Sequence, residues 1–178
     1  MKSKIHFLIL WCYTITYKGK EVLLMEIQQK NMDKICNVLC LILFACTFIA
    51  LLFMWKGMPN KIPVHFNLLG EADEWGSKSQ CWLFPVMSLF VYIGIGAVIN
   101  FPGIYNNPVI IKKKNKKQVY SFIQHLFATT RLLVVCVLTY ISFEMIFQIQ
   151  LPVFLFFGIL FLAFINVIFW FYKIMKLE

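Results

Sequence analysis

One imidazole, one amide and three carboxylates crowd a short stretch of this chain: His65, Asn67, Glu71, Asp73 and Glu74, with the indole of Trp75 beside them. Imidazole nitrogen and carboxylate oxygens are ligands for a divalent cation and acceptors for a cationic group, so the cluster predicts ligand binding at a loop. The same stretch also reads as architecture. Pro59, Ile62, Pro63, Phe66, Gly70 and Gly76 are the turn, aromatic and packing residues of a small ordered cap, and Asn67, Gly70 and Asp73 are turn formers in their own right. For His65 the two readings stand level. No metal is assigned.

A second candidate lies inside an apolar run. Glu144 has Tyr140 and Gln148 one helical turn away on either side, and a stripe at that spacing shares one helix face. A charged side chain at the centre of a bilayer costs about 2.5–3.5 kcal/mol on the insertion scale and less near the interface. The stripe therefore predicts a proton or ligand site, a hydrogen-bond partner between helices, or a carboxylate reaching the outer headgroups.

The remaining groups suggest no catalysis. Phosphate-binding loops, H-E-x-x-H and G-x-S-x-G are absent from the sequence, so neither an enzyme nor a cofactor is expected. Six cysteines include no C-x-x-C pair, and most fall in apolar runs where they behave as small apolar residues. The basic run Lys112 to Lys117 opens an amphipathic helix, with Val119, Tyr120, Phe122, Ile123, Leu126 and Phe127 at helical spacing. Such a run lies on anionic headgroups and could dock a cytoplasmic regulator, while nucleic acid is not expected. His125, on this helix, reads as a surface residue.

These groups must be positioned by membrane helices. The chain has 178 residues, of which 61% are hydrophobic and only 14% charged, and its mean hydropathy is +0.76. Soluble domains are nearer half apolar and a quarter charged, which excludes a soluble enzyme, a disordered chain or a disulfide scaffold. Four runs are long enough to cross about 30 Å of hydrocarbon as helices: about 35–55, 82–101, 132–149 and 153–172. The expected fold is an all-α membrane protein of four helices, with a small loop or hairpin cap between the first two. In that cap Ile62, Val64 and Phe66 alternate with polar or turn residues, the period of a half-buried strand, and Pro63 restricts it to an edge. Ser77 or Ser79 can cap the second span. Gly94, Gly96, Ala97 and Gly158 offer small surfaces for close helix contact, within one chain or in a homodimer.

Charge sets direction. The formal net charge is +9, and with four spans fourteen of the 17 basic residues fall on the side of the termini and the middle loop. The positive-inside rule places that side in the cytoplasm and the cap outside. Trp55 and Trp82 would mark the outer interface, Trp170 and Tyr172 the inner one. Lysine in place of arginine, with much Phe, Ile and Asn, suggests an AT-rich gene and a bacterial plasma membrane. Residues 1–24 read as a doubtful leader: the apolar run 5–17 is too short to span, and Lys20-Glu21-Val22 can be encoded by a purine-rich ribosome-binding site ahead of a start at Met25.

The loop run Pro59-x-x-Ile62-Pro63-x-His65-Phe66-Asn67-x-x-Gly70-x-x-Asp73-x-Trp75-Gly76-Ser77-Lys78 resembles the domain of unknown function in SdpI-type bacterial membrane proteins. Phe101-Pro102 followed by Asn106-Asn107-Pro108 agrees with it. The resemblance covers about residues 32–145, leaving 146–178 as the fourth span and a short tail. It implies an immunity protein against a secreted peptide toxin, although this chain lacks the additional C-terminal spans of those relatives. The expected function is recognition of a peptide or envelope ligand at the outer face through His65, Asn67, Glu71, Asp73 and Trp75, in immunity or sensing. The alternative is a small transporter, or a subunit of one, using Glu144 and its polar stripe.

Overall fold

A computed structural model describes residues 31–101, 112 and 115–177. The leader 1–24, the start at Met25 and the Pro102–Pro108 segment lie outside the described residues, as do Lys113 and Lys114 of the basic run. Helix α1 (Asn31–Met54) leads into strands β1 (Lys61–Phe66) and β2 (Ala72–Ser77). A 3-10 turn (Lys78–Trp82) follows, then α2 (Leu83–Asn100), α3 (Lys116–Phe147) and α4 (Val153–Met175). Among the described residues four helical segments are long and apolar enough to cross a membrane, the second being α2 together with the 3-10 turn before it, so the chain is a multi-pass membrane protein with a strand hairpin between α1 and α2.

Helix α3 is the hub. It packs against α1, α2 and α4 and touches β1, whereas α4 packs chiefly on α3. The amphipathic start and the third span are one continuous helix of 32 residues, about 48 Å at 1.5 Å per residue. It ends two residues before the expected boundary, because Gln148 adopts φ 53° and ψ 40° and closes the helix as its left-handed C-cap. Pro152 is the N-cap of α4, one position ahead of the first turn. Among the small residues, a Cβ added at Gly94 or Gly158 would meet nothing within 4 Å, so neither makes a close helix contact among the described residues. Gly96 instead faces Arg131 Nη1, 3.3 Å from such a Cβ.

The strands pair antiparallel, with Ile62 opposite Gly76 and Pro63 opposite Trp75, and the register shifts between Pro63 and His65 and again between His65 and Phe66. These shifts break the strict alternation expected of β1: Pro63 is buried beside Ile62, while His65 is exposed. Both strands are edges, as the proline requires. Ile62 is fully buried on Leu51, Met58, Cys81, Met145 and Ile146, which fastens the hairpin to the ends of α1 and α3. Burying such a side chain contributes about 1.5–3 kcal/mol. Ser77 caps the 3-10 turn by accepting from the Ser79 amide at 3.4 Å. Trp55 and Trp82 meet edge to face at 5.9 Å, with Lys78 Nζ 5.0 Å from the Trp55 ring.

The hairpin turn is built by Asn67. Its Oδ1 accepts from the Leu69 and Glu71 amides at 2.8 and 3.0 Å, its carbonyl accepts from Gly70, and its amide donates to the Glu71 carbonyl. Gly70 takes φ 80°, and a Cβ there would fall 2.5 Å from Val153 Cγ2, so the tip of the hairpin rests on the α3–α4 turn. Gly70→Ala is expected to lower stability by about 1–2 kcal/mol from the left-handed backbone alone, with the clash added. Gly94→Ala, in open space, is expected to leave stability unchanged or raise it by up to about 1 kcal/mol. Thermal unfolding in detergent of the two variants checks the contrast.

Candidate functional site

The two sequence candidates, loop motif and membrane stripe, meet at one cavity. It has a volume of about 240 Å³. The hairpin supplies Val64, His65, Phe66, Asn67, Leu68 and Gly70. Helix α3 supplies Tyr140, Ile141 and Glu144, α4 supplies Val153, Phe156 and Phe157, and α2 supplies Phe84. A chamber with apolar walls and a few placed polar groups is the usual form of a small-ligand site.

Each polar group here has a local reason for its position. The Glu144 carboxylate is buried, and its Oε1 accepts from the Leu151 amide at 3.2 Å. Tyr140 Oη donates to the Leu151 carbonyl at 3.0 Å. One residue of the α3–α4 turn is thus held at both its N–H and its C=O by side chains one helical turn apart. That satisfies backbone groups which a tight turn in an apolar setting would otherwise strand. Gln148, the third member of the expected stripe, does not share this face: it caps α3 in the left-handed conformation and is exposed.

At the hairpin, His65 Nδ1 pairs with Asp73 Oδ1 at 2.5 Å, both side chains largely exposed. The Asn67 amide group donates to Glu71 Oε2 at 3.1 Å. Glu71, Asp73 and Trp75 do not line the cavity; the first two orient lining residues, and Trp75 stands exposed on β2. Pro59 is exposed before β1. Gly76 is required sterically, since a Cβ there would fall 1.9 Å from Gln80 Oε1 and 2.8 Å from Val64 Cγ1. Among the described residues no three His, Cys, Asp or Glu side chains converge as a metal site would need.

Sequence reading missed a second polar cluster, at the end of the bundle opposite the hairpin. His125 is not a surface residue. It is buried, its Nδ1 hydrogen-bonds Asp33 Oδ1 on α1, and the Trp170 ring lies 5.2 Å from its own. Arg131, one of the fourteen basic residues counted toward orientation, is also buried. Its Nη2 donates to Asn37 Oδ1 at 3.2 Å, and the same oxygen accepts from Tyr92 Oη at 2.5 Å. The available signal was spacing: Asp33 and Asn37 share a face of α1, and His125 and Arg131 sit in a helix that must cross the membrane.

If Glu144 serves the turn, its acceptor oxygen matters more than its charge. Glu144→Gln keeps an oxygen for the Leu151 amide and is expected to unfold near the wild-type midpoint. Glu144→Ala leaves that amide unpaired and is expected to lose about 1–3 kcal/mol. Unfolding in detergent separates the two, and a Gln variant as unstable as the Ala variant would refute the assignment.

Residues 42–89 match the family described as a domain of unknown function, DUF1648. The match runs from within α1 through the whole hairpin into α2, and so contains the entire loop motif but neither Tyr140 nor Glu144. No curated protein and no solved structure matches the chain.

Proposed function

We propose that this chain recognises a peptide or envelope ligand at the outer face of a bacterial plasma membrane, in the immunity or sensing role that the SdpI-type resemblance implies. The cavity between hairpin, α3 and α4 carries the reading, because it joins the loop motif to Tyr140 and Glu144. Its apolar walls suit an apolar side chain or a short acyl segment. Glu144 in the lining, with Asp73 and Glu71 bonded to lining residues, suits a ligand that also bears positive charge. A cationic amphipathic peptide combines both properties.

Charge distribution supports the orientation. Lys34, Lys112, Lys116, Lys117, Lys173 and Lys176 lie toward the end opposite the hairpin, while Lys56, Lys61 and Lys78 at the hairpin end are balanced by Glu71, Asp73 and Glu74. By the positive-inside rule both termini are cytoplasmic and the hairpin is outside. Transport through Glu144 remains the alternative, and it requires that the carboxylate itself be ionisable.

In intact cells, Trp75→Cys is expected to react with a membrane-impermeant maleimide, and Lys112→Cys to react only after lysis. Cells producing the wild type are expected to tolerate higher concentrations of cationic amphipathic peptides than cells with an empty vector. Ile141→Trp, which fills the cavity, is expected to abolish that tolerance while the protein still inserts. Equal growth inhibition with wild type and empty vector across such a peptide panel counts against recognition. Loss of tolerance in Glu144→Gln, with folding intact, favours the ionisable role.

A further inference from the structure

The second cavity lies at the end of the bundle opposite the hairpin, between α1, α2 and α3, and measures about 680 Å³. Arg131 lines it and is only 5% exposed. Its Nη2 is bonded to a neutral amide oxygen, and its guanidinium lies 4.6 Å from the Tyr92 ring. Its Nε is buried without a hydrogen-bond partner. The ion pairs among the described residues are His65 with Asp73 and His125 with Asp33, so no carboxylate there neutralises Arg131. Asp33, the carboxylate in the lining, is engaged by His125. A buried guanidinium that lines an open chamber and has only neutral partners is an incomplete anion site. A charge removed from water is retained only when paired and hydrogen-bonded.

Depth indicates the anion. Arg131 lies 16 residues from Phe147 at the hairpin end of α3, about 24 Å along the axis, against about 30 Å of hydrocarbon. The guanidinium therefore sits within about one helical turn of the far interface, where phospholipid phosphates lie. The planar fork of arginine matches a phosphate with paired N–H donors, which a lysine cannot reproduce. Asn37, Tyr92, Asn100 and Gln124 add neutral polar groups to the lining.

We propose that this cavity binds a phosphate group on Arg131, supplied by a phospholipid headgroup. The site is separate from the hairpin cavity and does not depend on the function assigned there. A free phosphate would make the same contacts, so the test distinguishes the two sources. The protein, purified in neutral detergent, is titrated with short-chain phosphatidylglycerol, with inorganic phosphate, and with diacylglycerol as the phosphate-free control. Thermal shift and lipid adducts retained in native mass spectrometry are read together.

Phosphatidylglycerol is expected to raise the unfolding midpoint and remain as an adduct, while diacylglycerol does neither. Arg131→Lys is expected to weaken binding about tenfold to a hundredfold, the loss of one charge-assisted bond. Gln124→Glu places a carboxylate in the lining without touching Arg131 and is expected to weaken binding in the same direction. It decides the matter if Arg131→Lys fails to fold. An Arg131-dependent shift with inorganic phosphate alone supports the site and identifies the free ion as its occupant. Equal effects of diacylglycerol and phosphatidylglycerol, no effect of any phosphate, or undiminished binding in Gln124→Glu overturns the proposal.

Discussion

Lipid tails are as apolar as the helices they surround, so burying leucine and phenylalanine gives membrane helices little reason to associate. Close packing and polar contacts must do it instead. In this chain those contacts converge on α3. His125 reaches Asp33 of α1, Arg131 reaches Asn37 of the same helix, Thr130 accepts from Asn166 of α4 at 3.1 Å, and Tyr140 with Glu144 holds Leu151 of the following turn. Each contact satisfies a group that would be costly alone in hydrocarbon. Both cavities border α3, which packs on each of the other three described helices and carries His125, Arg131 and Glu144 inward.

The architecture was largely legible in the sequence. Length and continuity of the apolar runs located the four helices, since a helix that must cross hydrocarbon declares itself over some twenty residues. The hairpin was legible through Pro63, Asn67 and Gly70, whose backbone constraints are local. The bulges at His65 were not, because register depends on what Ile62 packs against across the chain. Gln148 shows the same limit: spacing places it on the Tyr140–Glu144 face only if the helix continues, and the left-handed cap is set by the turn the chain must make to reach Pro152.

The sites divide along the same line. His65, Asn67 and the loop carboxylates could be named as a cluster because they are neighbours in sequence, and Glu144 could be named because it is rare in its setting. Their meeting in one chamber depends on Gly70 resting on Val153, a contact between residues 83 positions apart that no periodicity records. The opposite cavity was less legible still. His125 read as a surface residue of a basic amphipathic segment, and Arg131 as one basic residue in the orientation count, until Asp33, Asn37 and Tyr92 were seen to face them.

The arrangement of α4 bears on how the protein is made. Apart from a half-buried stripe at Val153, Phe156, Ile159, Ala163, Asn166 and Trp170 its side chains are exposed, with Ile174 the buried residue of the described helix, and it packs chiefly on the helix synthesised immediately before it. A tight turn and packing chiefly on α3 allow α3 and α4 to leave the translocon as one helical hairpin. Leu151 would be held by Tyr140 and Glu144 as soon as the chain reverses. The strand hairpin, synthesised earlier, has no surface for Gly70 until that reversal is complete. Closure of the hairpin cavity thus waits for the start of α4, and a chain arrested before α4 carries the whole loop motif but lacks the wall formed by Val153, Phe156 and Phe157.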